Sequence, residues 1–508
     1  MKLSNSAQMR EMDRHVIEDL GAPGAALMIS AAGHIATVAL EKLPPGGKAA
    51  VFCGTGNNGG DGIGAAAILM EKGIPVRVFL IGREEKLTPD SIEMLRKLQA
   101  LGGKLESFCA SGGIEDYIKR CDVIIDAMFG IGLNSELRGE AKTAAEMINS
   151  ARVCVISADI PSGVHADTGE ILGTAVNADV TVTFSLAKNG HFIEPGCVSS
   201  GEVRVCDIGI PADIIASADS SVFAVMHEDI HLPRRNPLSH KGDYGRCLIV
   251  SGSVGYTGAP ALCARAASKM GAGLVYLGVP EPIYNISAVK LNEEMPFPLP
   301  ADEHGRFAAG AADELISRAA EYDAILVGPG LGRSPEITEL VTSIISAVRV
   351  PVVLDADGLN AIAGNIGVLD KAGCPLILTP HPGEFARLTG GAPLRDRLGA
   401  ARDFAQAHNC VLVLKGHRTI TAMPDGTAFI NTTGGPAMAK GGSGDVLAGM
   451  ITALAGQKFP LKDAVTTAVY LHGLAGDLCA AEYGEYSVTA SNIIDMLPKA
   501  VKRLTIND

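Results

Sequence analysis

The stretch AAVFCGTGNNGGDGIGAAAILMEK, residues 49–72, contains the pattern on which the fold prediction depends. Its apolar start, Ala49–Cys53, predicts a buried strand, and Ile63–Lys72 predicts a helix. The glycines between them let main-chain N–H groups approach a ligand closely, where the start of a helix adds partial positive charge. The segment therefore predicts a strand–loop–helix unit that can bind an anion such as a phosphate.

Short runs rich in valine and isoleucine alternate with helical patterns on both sides of this segment, which predicts parallel strands joined by right-handed crossovers. In the first half the predicted strands are Ala49–Cys53, Val76–Ile81, Val123–Asp126, Val153–Ser157 and Val180–Phe184. The alternation restarts after a mixed segment, and the later predicted strands are Cys247–Val250, Leu274–Leu277, Ile325–Val327, Val352–Asp355, Leu376–Thr379 and Val411–Leu414. We therefore expect two α/β domains, residues 1–220 and 225–508.

Composition and charge narrow the class of protein. A net charge of −13 argues against a nucleic acid or an anionic membrane as partner, since either needs a basic face. By inspection no apolar run reaches the length of a membrane span, and the N-terminus lacks the apolar core of a signal peptide. The 11 cysteines show no C-x-x-C pair, which predicts reduced thiols rather than disulfides or a zinc site. The sequence thus predicts a cytoplasmic protein.

Two aspartates follow predicted strands of the first half. Asp126 ends one strand and Asp159 follows the next, so both are expected at the sheet edge where open α/β sheets bind ligands. Either carboxylate alone could instead cap a helix. Together with Asn57 and Asn58 they predict an oxygen-rich pocket, which suits an alkali or alkaline-earth cation better than zinc.

Three strings of the first half resemble a known family: GTGNNGGDG (54–62), DAMFGIGL (126–133) and SADIPSGV (157–164). They are similar to the N-terminal NAD(P)HX epimerase domain, of the YjeF type, of bifunctional NAD(P)H-hydrate repair enzymes. The resemblance implies a Rossmann-like three-layer sandwich and a K⁺ site formed by Asn58, Asp126 and Ser162. It also implies substrate contacts at Asn57, Asn58, Gly59, Gly60, Asp61, Gly130, Ile131, Gly132, Leu133, Asn134, Ser135, Glu136 and Asp159.

The chemistry of the implied substrate fits a carboxylate. The hydroxyl of hydrated NADH lies on C6 beside the ring nitrogen, so its configuration can be lost through a cationic or ring-opened intermediate. One acid–base group near C6 is sufficient, and Asp159 is the predicted catalytic residue. The cation would then organise the loops or bind phosphate.

The string NTTGGPAMAKGGSGD, residues 431–445, is the most specific of the second half. Main-chain donors of Gly441–Gly444 can surround a transferring phosphoryl group. Asp445, the next residue, can take a proton from an attacking hydroxyl. The alternative is a carboxylate that only stabilises a helix N-terminus.

The GGSGD element resembles the G-x-G-D motif of the ribokinase-like superfamily. With SHKGDYG (239–245), GPGLG (328–332), TPHPGE (379–384) and KGHRT (415–419) it is similar to the ADP/ATP-dependent NAD(P)HX dehydratase domain, which implies a ribokinase-like α/β/α fold. The implied nucleotide contacts are Lys415, Gly416, His417, Arg418, Thr419 and Gly444. The implied contacts to the hydrated nicotinamide are Ala259, Gly330, His381 and Asp445.

Several of these residues have plainer alternatives. His381 could be a hydrogen-bonded loop histidine, and Lys415 and Arg418 could be surface charges. Asp355 and Asp357 could bind Mg²⁺ through water or cap the next turn, and these two possibilities stay open. No role is predicted for His240.

The resemblance implies a two-activity repair enzyme that is a homo-oligomer. The first domain would interconvert (R)- and (S)-NADHX or NADPHX with K⁺. The second would use Mg²⁺ with ADP or ATP to dehydrate the S hydrate, releasing AMP and phosphate when ADP is used. The alternatives are a small-molecule kinase of the ribokinase-like superfamily fused to a nucleotide-binding scaffold domain, and a binding scaffold without catalysis. The choice between ADP and ATP, and between the two hydrates, is left open.

Overall fold

A computed structural model describes residues 1–110, 113–391 and 394–505. By its internal contacts the chain divides into two compact units, Lys2–Val222 and a second unit that begins at Phe223 and includes Met1. Each unit is built on a largely parallel sheet with helices around it. The predicted α/β class with two separate sheets is confirmed.

The first unit contains nine strands and eight α-helices among its described residues. The strands are β1 (Leu3–Ser4), β2 (Ala49–Cys53), β3 (Val76–Leu80), β4 (Leu105–Ser107), β5 (Val123–Ala127), β6 (Cys154–Ala158), β7 (Val180–Phe184), β8 (Ala187–Lys188) and β9 (Glu202–Cys206). The helices are α1 (Ser6–Arg14), α2 (Gly24–Lys42), α3 (Asn57–Glu71), α4 (Pro89–Ala100), α5 (Ile114–Ile118), α6 (Gly139–Ser150), α7 (Gly196–Ser199) and α8 (Ala212–Ser217).

Seven of these strands form one parallel sheet in the order β4-β3-β2-β5-β6-β7-β9. Side chains alternate between its two faces. Val51 and Cys53 of β2 pack with α2, α3 and α4, whereas Phe52 packs on the other face with α5 and α6. Both faces are therefore covered, as a three-layer sandwich requires.

Helix α2 contradicts the expectation that no apolar run is as long as a membrane span. With 19 residues and a mean hydropathy of 1.4 it is long and apolar enough to cross a membrane by length and composition alone, so that expectation was wrong for this helix. Its side chains Met28, Ile35 and Ala39 are buried in the cluster that covers the sheet. The apolar character of α2 is thus explained by packing in the core.

The second unit is built around ten strands and ten α-helices within the described part of the chain. The strands are β10 (Val222–Val225), β11 (Arg246–Val250), β12 (Leu274–Pro280), β13 (Met295–Leu299), β14 (Ala324–Val327), β15 (Val352–Leu354), β16 (Leu376–Leu378), β17 (Val411–Leu414), β18 (Ile420–Ala422) and β19 (Ala428–Asn431). The helices are α9 (Gly258–Lys269), α10 (Tyr284–Lys290), α11 (Ala311–Arg318), α12 (Pro335–Ala347), α13 (Asp357–Ile362), α14 (Pro382–Leu388), α15 (Arg397–Ala407), α16 (Ser443–Gly456), α17 (Leu461–Tyr483) and α18 (Ala490–Thr505).

The sheet order in the second unit is β10-β19-β18-β17-β16-β15-β14-β11-β12-β13. Strands β11 to β17 pair in parallel, while β17, β18 and β19 pair antiparallel. Helices α9, α16, α17 and α18 share one apolar cluster with Ile249, Leu326 and Val353. The connection β11–α9–β12 runs in one direction along the sheet, and β14–α12–β15 runs in the opposite direction. Because both crossovers are right-handed, α9 and α12 lie on opposite faces of the sheet.

Each sheet reverses its strand order at one place where two parallel strands lie side by side. The reversal lies between β2 and β5 in the first unit and between β11 and β14 in the second. Loops that leave the carboxyl ends of such strands turn to opposite faces and leave a crevice in which ligands bind. The glycine-rich strings that follow β2, β5 and β14 all lie at these two places.

Gly328→Ala is expected to destabilise the second unit by about 2 to 4 kcal/mol, because overpacking and backbone strain add. Gly328 follows β14 with a φ of +144°, and a Cβ there would lie 1.8 Å from the carbonyl oxygen of Asp355. Differential scanning calorimetry would measure the change. The matched control is Gly364→Ala, where nothing lies within 4 Å of the added carbon. Equal transition temperatures in the two variants would contradict the assigned close approach.

Candidate active sites

A cavity of about 710 Å³ lies at the carboxyl edge of the first unit's sheet. Most of the predicted substrate contacts line it: Asn57, Asn58, Asp61, Gly130, Ile131, Gly132, Leu133, Asn134, Ser135 and Asp159. Gly59 and Gly60 are instead buried in the first turns of α3. The side chain of Glu136 is exposed, and its Oε2 lies 3.5 Å from Nη2 of Arg138.

The loop after β2 requires glycine because of how closely its backbone packs. A Cβ on Gly54 would lie 1.9 Å from the carbonyl oxygen of Met128, and one on Gly59 would lie 1.9 Å from the carbonyl oxygen of Gly54. The loops after β2 and β5 are thereby held against each other. This close packing places the start of α3 at the floor of the cavity.

Asp159 is held by its backbone and by one ion pair. Its φ is +63°, a strained value for a residue with a side chain. Its N–H donates to the carbonyl of Val182 at 2.7 Å, and its carbonyl accepts from Nε2 of His191 at 2.9 Å. Nζ of Lys188, a side chain only 1% exposed, lies 2.5 Å from Oδ1 of Asp159. The carboxylate is therefore fixed and charge-balanced.

Two further carboxyl groups line the same cavity, and both bind a proton more readily than an ordinary aspartate does. Burial raises the pKa of Asp61 well above its usual range, and the charges of Asp159 and Asp13 raise it further. Burial also raises the pKa of Asp13 to about 6, with Lys188 opposing and Asp159 adding to the effect. The cavity therefore contains one carboxylate in an ion pair, Asp159 with Lys188, and two carboxyls with raised pKa values, Asp13 and Asp61.

The three predicted K⁺ ligands converge on the loop after β5. The N–H of Phe129 donates to Oγ of Ser162 at 2.9 Å, and a Cβ on the next residue, Gly130, would lie 3.3 Å from Cγ of Asn58. Asp126 is fully buried and accepts four hydrogen bonds, all from uncharged donors on Ser157, Ser162 and Met128. Burial accordingly raises its pKa.

A monovalent cation fits this set of donors. Both polar atoms of the Asn58 side chain are buried without a hydrogen-bond partner in the described structure. Burying an amide without a hydrogen-bond partner costs free energy. An oxygen-binding cation beside Asp126 would be a partner for Oδ1 of Asn58 and would balance the buried negative charge of Asp126.

In the second unit, α16 begins within the GGSGD string and places Asp445 in its first turn. A Cβ on Gly444 would lie 3.3 Å from Nζ of Lys415 and 3.9 Å from Oδ2 of Asp355. Lys415 and Asp355 form an ion pair of 2.7 Å between Nζ and Oδ1, and Asp355 is only 1% exposed. Backbone N–H groups, an ammonium and two carboxylates thus meet at one helix N-terminus.

Burial and the neighbouring charges make Asp445 a base suited to neutral pH. Burial raises its pKa to about 7, the charge of Asp355 adds to the rise, and Lys415 opposes it. For Lys415, burial lowers the pKa, but Asp355, Glu384 and Asp445 outweigh burial and the net change is upward. The lysine therefore stays charged beside a carboxyl that exchanges its proton near pH 7.

The predicted nucleotide loop, Lys415 to Thr419, connects β17 to β18. Arg397 braces it from α15 by donating to the carbonyls of Lys415 and His417, each at 3.3 Å. Arg418 donates to the carbonyl of Thr432 at 2.8 Å, which ties the loop to the TTGGP segment. Neither arginine contact could be inferred from the local string.

The predicted nicotinamide contacts lie beside the same sheet edge. A Cβ on Gly330 would lie 3.4 Å from Cβ of Ala259, so these two residues are neighbours. His381 is half-exposed and caps α14, since its Nδ1 accepts from the N–H groups of Gly383 and Glu384 at 3.0 and 3.3 Å. Its Nε2 lies 3.5 Å from Oε1 of Glu384. The alternative of a hydrogen-bonded loop histidine therefore describes the contacts of this ring.

The structure gives Asp355 and Asp357 different contacts. Oδ1 of Asp355 accepts from Lys415 and from Thr379, and Asp357 accepts from the N–H of Gly332 at 2.9 Å. Asp357 thereby fastens the GPGLG loop to α13. His240 is exposed and directly precedes a short 3₁₀ turn, and its Nδ1 lies 3.3 Å from Oδ2 of Asp243.

Lys188 and Asp13 are among the cavity residues that no sequence motif singled out. Lys188 follows β7 closely, as Asp126 and Asp159 follow their strands, so its position after a predicted strand was a usable signal. Asp13 comes from α1, a helix that precedes the predicted strand series, and no local pattern distinguishes it from a surface carboxylate.

Asp445→Asn is expected to stabilise the second unit at pH 8. The carboxyl has an ordinary pKa of 3.8 but about 7 in the fold, so folding binds a proton and the free energy of unfolding falls as the pH rises between these values. Asparagine has no such proton. One pKa unit is worth about 1.4 kcal/mol, so a rise of about three units corresponds to a gain of about 4 kcal/mol at pH 8, which disappears at pH 4. Calorimetry at both pH values tests this; equal differences at the two would contradict it.

Comparison with known proteins places both units in described families. The family model described as NAD(P)H-hydrate dehydratase matches residues 247–499 of this chain. The family model described as YjeF-related protein N-terminus matches residues 24–190. A solved ADP/ATP-dependent NAD(P)H-hydrate dehydratase from Bacillus subtilis, co-crystallized with ATP/Mg²⁺, is 33% identical over 56% of this chain and 99% of its own, with a TM-score of 0.48.

Full-length relatives cover both units at once. The bifunctional NAD(P)H-hydrate repair enzyme Nnr of Moorella thermoacetica is 40% identical over 99% of this chain and 97% of its own length. The proteins of the same name from Thermofilum pendens and Salinibacter ruber are 38% and 36% identical, over 99% and 97% of this chain and 97% and 94% of their own lengths. The chain therefore belongs to the family of bifunctional NAD(P)H-hydrate repair enzymes.

Proposed function

We propose that this chain repairs hydrated NADH and NADPH in two steps, with one active site in each unit. Asp159 is the acid–base group of the epimerisation in the first unit. Asp445 is the base of the nucleotide-dependent dehydration in the second. The observation that supports this most directly is Asp445 itself, a half-buried carboxyl with a pKa of about 7 at the N-terminus of α16 beside Lys415.

In the dehydration, Asp445 accepts the proton of the C6 hydroxyl of the S hydrate. The hydroxyl oxygen attacks the terminal phosphorus of ADP or ATP, and AMP or ADP leaves. Backbone N–H groups of Gly441–Gly444 and the positive end of α16 stabilise the charge on the phosphoryl oxygens. The ring nitrogen then expels phosphate from C6, and loss of a C5 proton restores the double bond of the dihydropyridine.

The residues Lys415, Gly416, His417, Arg418, Thr419 and Gly444 are proposed to hold the nucleotide. In support, the ammonium of Lys415 lies next to Gly444, where phosphate oxygens would meet both the cation and the helix N-terminus. Mg²⁺ would arrive bound to the phosphates, since it prefers phosphate oxygens and water as ligands. Ala259, Gly330 and His381 are proposed to contact the nicotinamide.

In the epimerisation, the hydrated nicotinamide would occupy the cavity of about 710 Å³ in the first unit. The proposed contacts are Asn57, Asn58, Gly59, Gly60, Asp61, Gly130, Ile131, Gly132, Leu133, Asn134, Ser135, Glu136 and Asp159. Oδ2 of Asp159 would lie 3.2 Å from a Cβ on Gly130, so this oxygen faces the loop that lines the cavity. K⁺ would be held by Asn58, Asp126 and Ser162, and it would balance the charge of Asp126 and fix the loop. The homo-oligomeric state and the cytoplasmic location stay predictions.

Reciprocal substitutions separate the two activities. Asp445→Asn should lower ADP-dependent recovery of NADH absorbance from the S hydrate by at least about 10³-fold, because the base is lost. Its rate of R/S interconversion, followed by chromatography, should stay within about twofold. Asp159→Asn should show the opposite pattern.

Each variant serves as the other's control for protein quality. The assignment fails for whichever aspartate can be replaced without loss of its own reaction. A stable phosphorylated product in place of released phosphate would instead favour the kinase alternative.

Replacement of K⁺ by N-methylglucamine should slow epimerisation, because Asn58 and Asp126 lose the ion that satisfies them. Return of K⁺ should restore the rate and raise the thermal transition of the first unit. In Asn58→Ala the K⁺ concentration for half-maximal effect should rise by about tenfold, since one ligand is worth about 1.4 kcal/mol or more. The matched control is Asn134→Ala, a cavity residue outside the proposed ion site. An identical K⁺ dependence in both variants would contradict the site.

A further inference from the structure

The cavity of the first unit contains an unusual set of charges. Asp13, Asp61 and Asp159 supply three carboxyls, and Lys188 is the ammonium that acts on all three. Arg10 and Asp90 also line this cavity: Nη2 of Arg10 would lie 3.9 Å from a Cβ on Gly132, and Oδ2 of Asp90 would lie 2.8 Å from a Cβ on Gly24. Burial raises the pKa of the Cys53 thiol, and the charges of Asp126 and Asp61 add to the rise.

All three ammonium hydrogens of Lys188 are used within the protein. Its Nζ donates to Oγ1 of Thr183 at 2.8 Å and to the carbonyl of Phe184 at 3.3 Å, and it lies 2.5 Å from Oδ1 of Asp159. An ammonium has three donors and no acceptor. Lys188 therefore has no hydrogen left for a substrate, so any part it has in the reaction passes through Asp159.

A buried histidine fixes the backbone of both partners. Nδ1 of His191 accepts from the N–H of Lys188 at 3.1 Å, so its Nε2 carries the proton that is donated to the carbonyl of Asp159 at 2.9 Å. Burial lowers the pKa of His191 to about 3, and the charge of Lys188 contributes to this. The ring is neutral throughout the working range and acts as a rigid spacer between the two residues.

The two oxygens of Asp159 consequently differ. Oδ1 is occupied by Lys188 and by the hydroxyl of Thr183 at 3.3 Å, whereas Oδ2 faces Gly130 at the cavity. An ammonium this close stabilises the ionised form of its partner. Asp61 lines the same cavity, where burial raises its pKa and the charge of Asp159 adds to the rise. Neighbouring carboxyls in such different surroundings divide into a base and an acid.

We propose that Lys188 is a positioning residue of the epimerisation, which keeps Asp159 ionised with Oδ2 directed at the substrate hydroxyl and leaves Asp61 to act as the proton donor. This inference rests on the proposed role of Asp159. Oδ2 takes the proton from the C6 hydroxyl, the C6–O bond becomes a carbonyl, and the C6–N1 bond breaks. The electron pair goes to N1, which takes the proton of Asp61. Rotation about C5–C6 and the reverse steps close the ring with the other configuration.

Lys188→Met tests this through the pH dependence of R/S interconversion, corrected for the uncatalysed rate. An opposite charge at this distance lowers the pKa of a carboxyl by about 1 to 3 units, so the acidic limb of the profile should move up by that amount. The rate should therefore fall at acidic pH and recover toward wild type at pH 9. Lys188→Arg keeps the charge and should keep the limb within about 0.5 unit. An unshifted limb in Lys188→Met would overturn the proposal.

A second variant covers the case in which Lys188→Met does not fold. Lys188→Ala leaves space beside the cavity for methylammonium, which should restore at least about tenfold of the lost rate, whereas methanol of similar size should not. Equal rescue by both would mean that Lys188 only fills space, and the inference would fall. Asp61→Asn should lower the rate at every pH without moving the acidic limb, and an unchanged rate would remove Asp61 as the donor.

The Asp159→Asn variant distinguishes failure of the proposed role of Asp159 from failure of the inference about Lys188. If it interconverts R and S at the wild-type rate, the proposed role of Asp159 fails. If it is inactive while Lys188→Met keeps the wild-type profile, only the inference about Lys188 fails. The dehydratase reaction of the same preparations gives the concentration of intact chain, since it takes place in the other unit.

Discussion

In both units, a lysine with little exposure pairs with one of several neighbouring carboxyl groups. Lys188 pairs with Asp159, and Lys415 pairs with Asp355. The low dielectric of a buried site makes one such pair favourable and an additional unpaired carboxylate costly. The two units differ in which carboxylate pairs with the lysine. In the first unit Lys188 pairs with Asp159, the proposed reactive carboxylate. In the second unit Lys415 pairs with Asp355, and Asp445 beside them has a pKa of about 7. Burial first, and then the charges of Asp355 and Lys415, set the pKa of Asp445.

These charge clusters exist because parallel strands end at a common edge. In the first unit, Asp126 belongs to β5, Asp159 follows β6 and Lys188 follows β7, three strands that are neighbours in the sheet. In the second unit, Asp355 follows β15 and Lys415 follows β17, with β16 between them. Glycine contributes by allowing the loops to touch, as at Gly54 and Gly328, where any side chain would meet backbone. The two sites are therefore built by the same arrangement of strands and crossover helices.

Much of this architecture could be predicted from local patterns. The strand Ala49–Cys53 and the string at 54–62 follow from an apolar run, a glycine-rich turn and a helical repeat, all of which act over a few residues. Strand β13 was missed because its Pro296 and Pro298 argue against a strand, and they are accommodated only because β13 is the edge of the sheet. Helix α2 is apolar on more than one side, and a sequence window alone cannot tell a core helix of this kind from a membrane span.

The sequence by itself determined the α/β class, the two glycine-rich loops and the family, because short strings specify local backbone geometry and the chemistry of their side chains. Only the tertiary structure decided that Lys188 neutralises Asp159, that Asp13 from α1 lines the same cavity, and that Asp357 fastens a loop. The physical reason is that pairing and pKa depend on distances and burial across elements far apart in the chain. Such distances are fixed by sheet order and packing, which no local string contains.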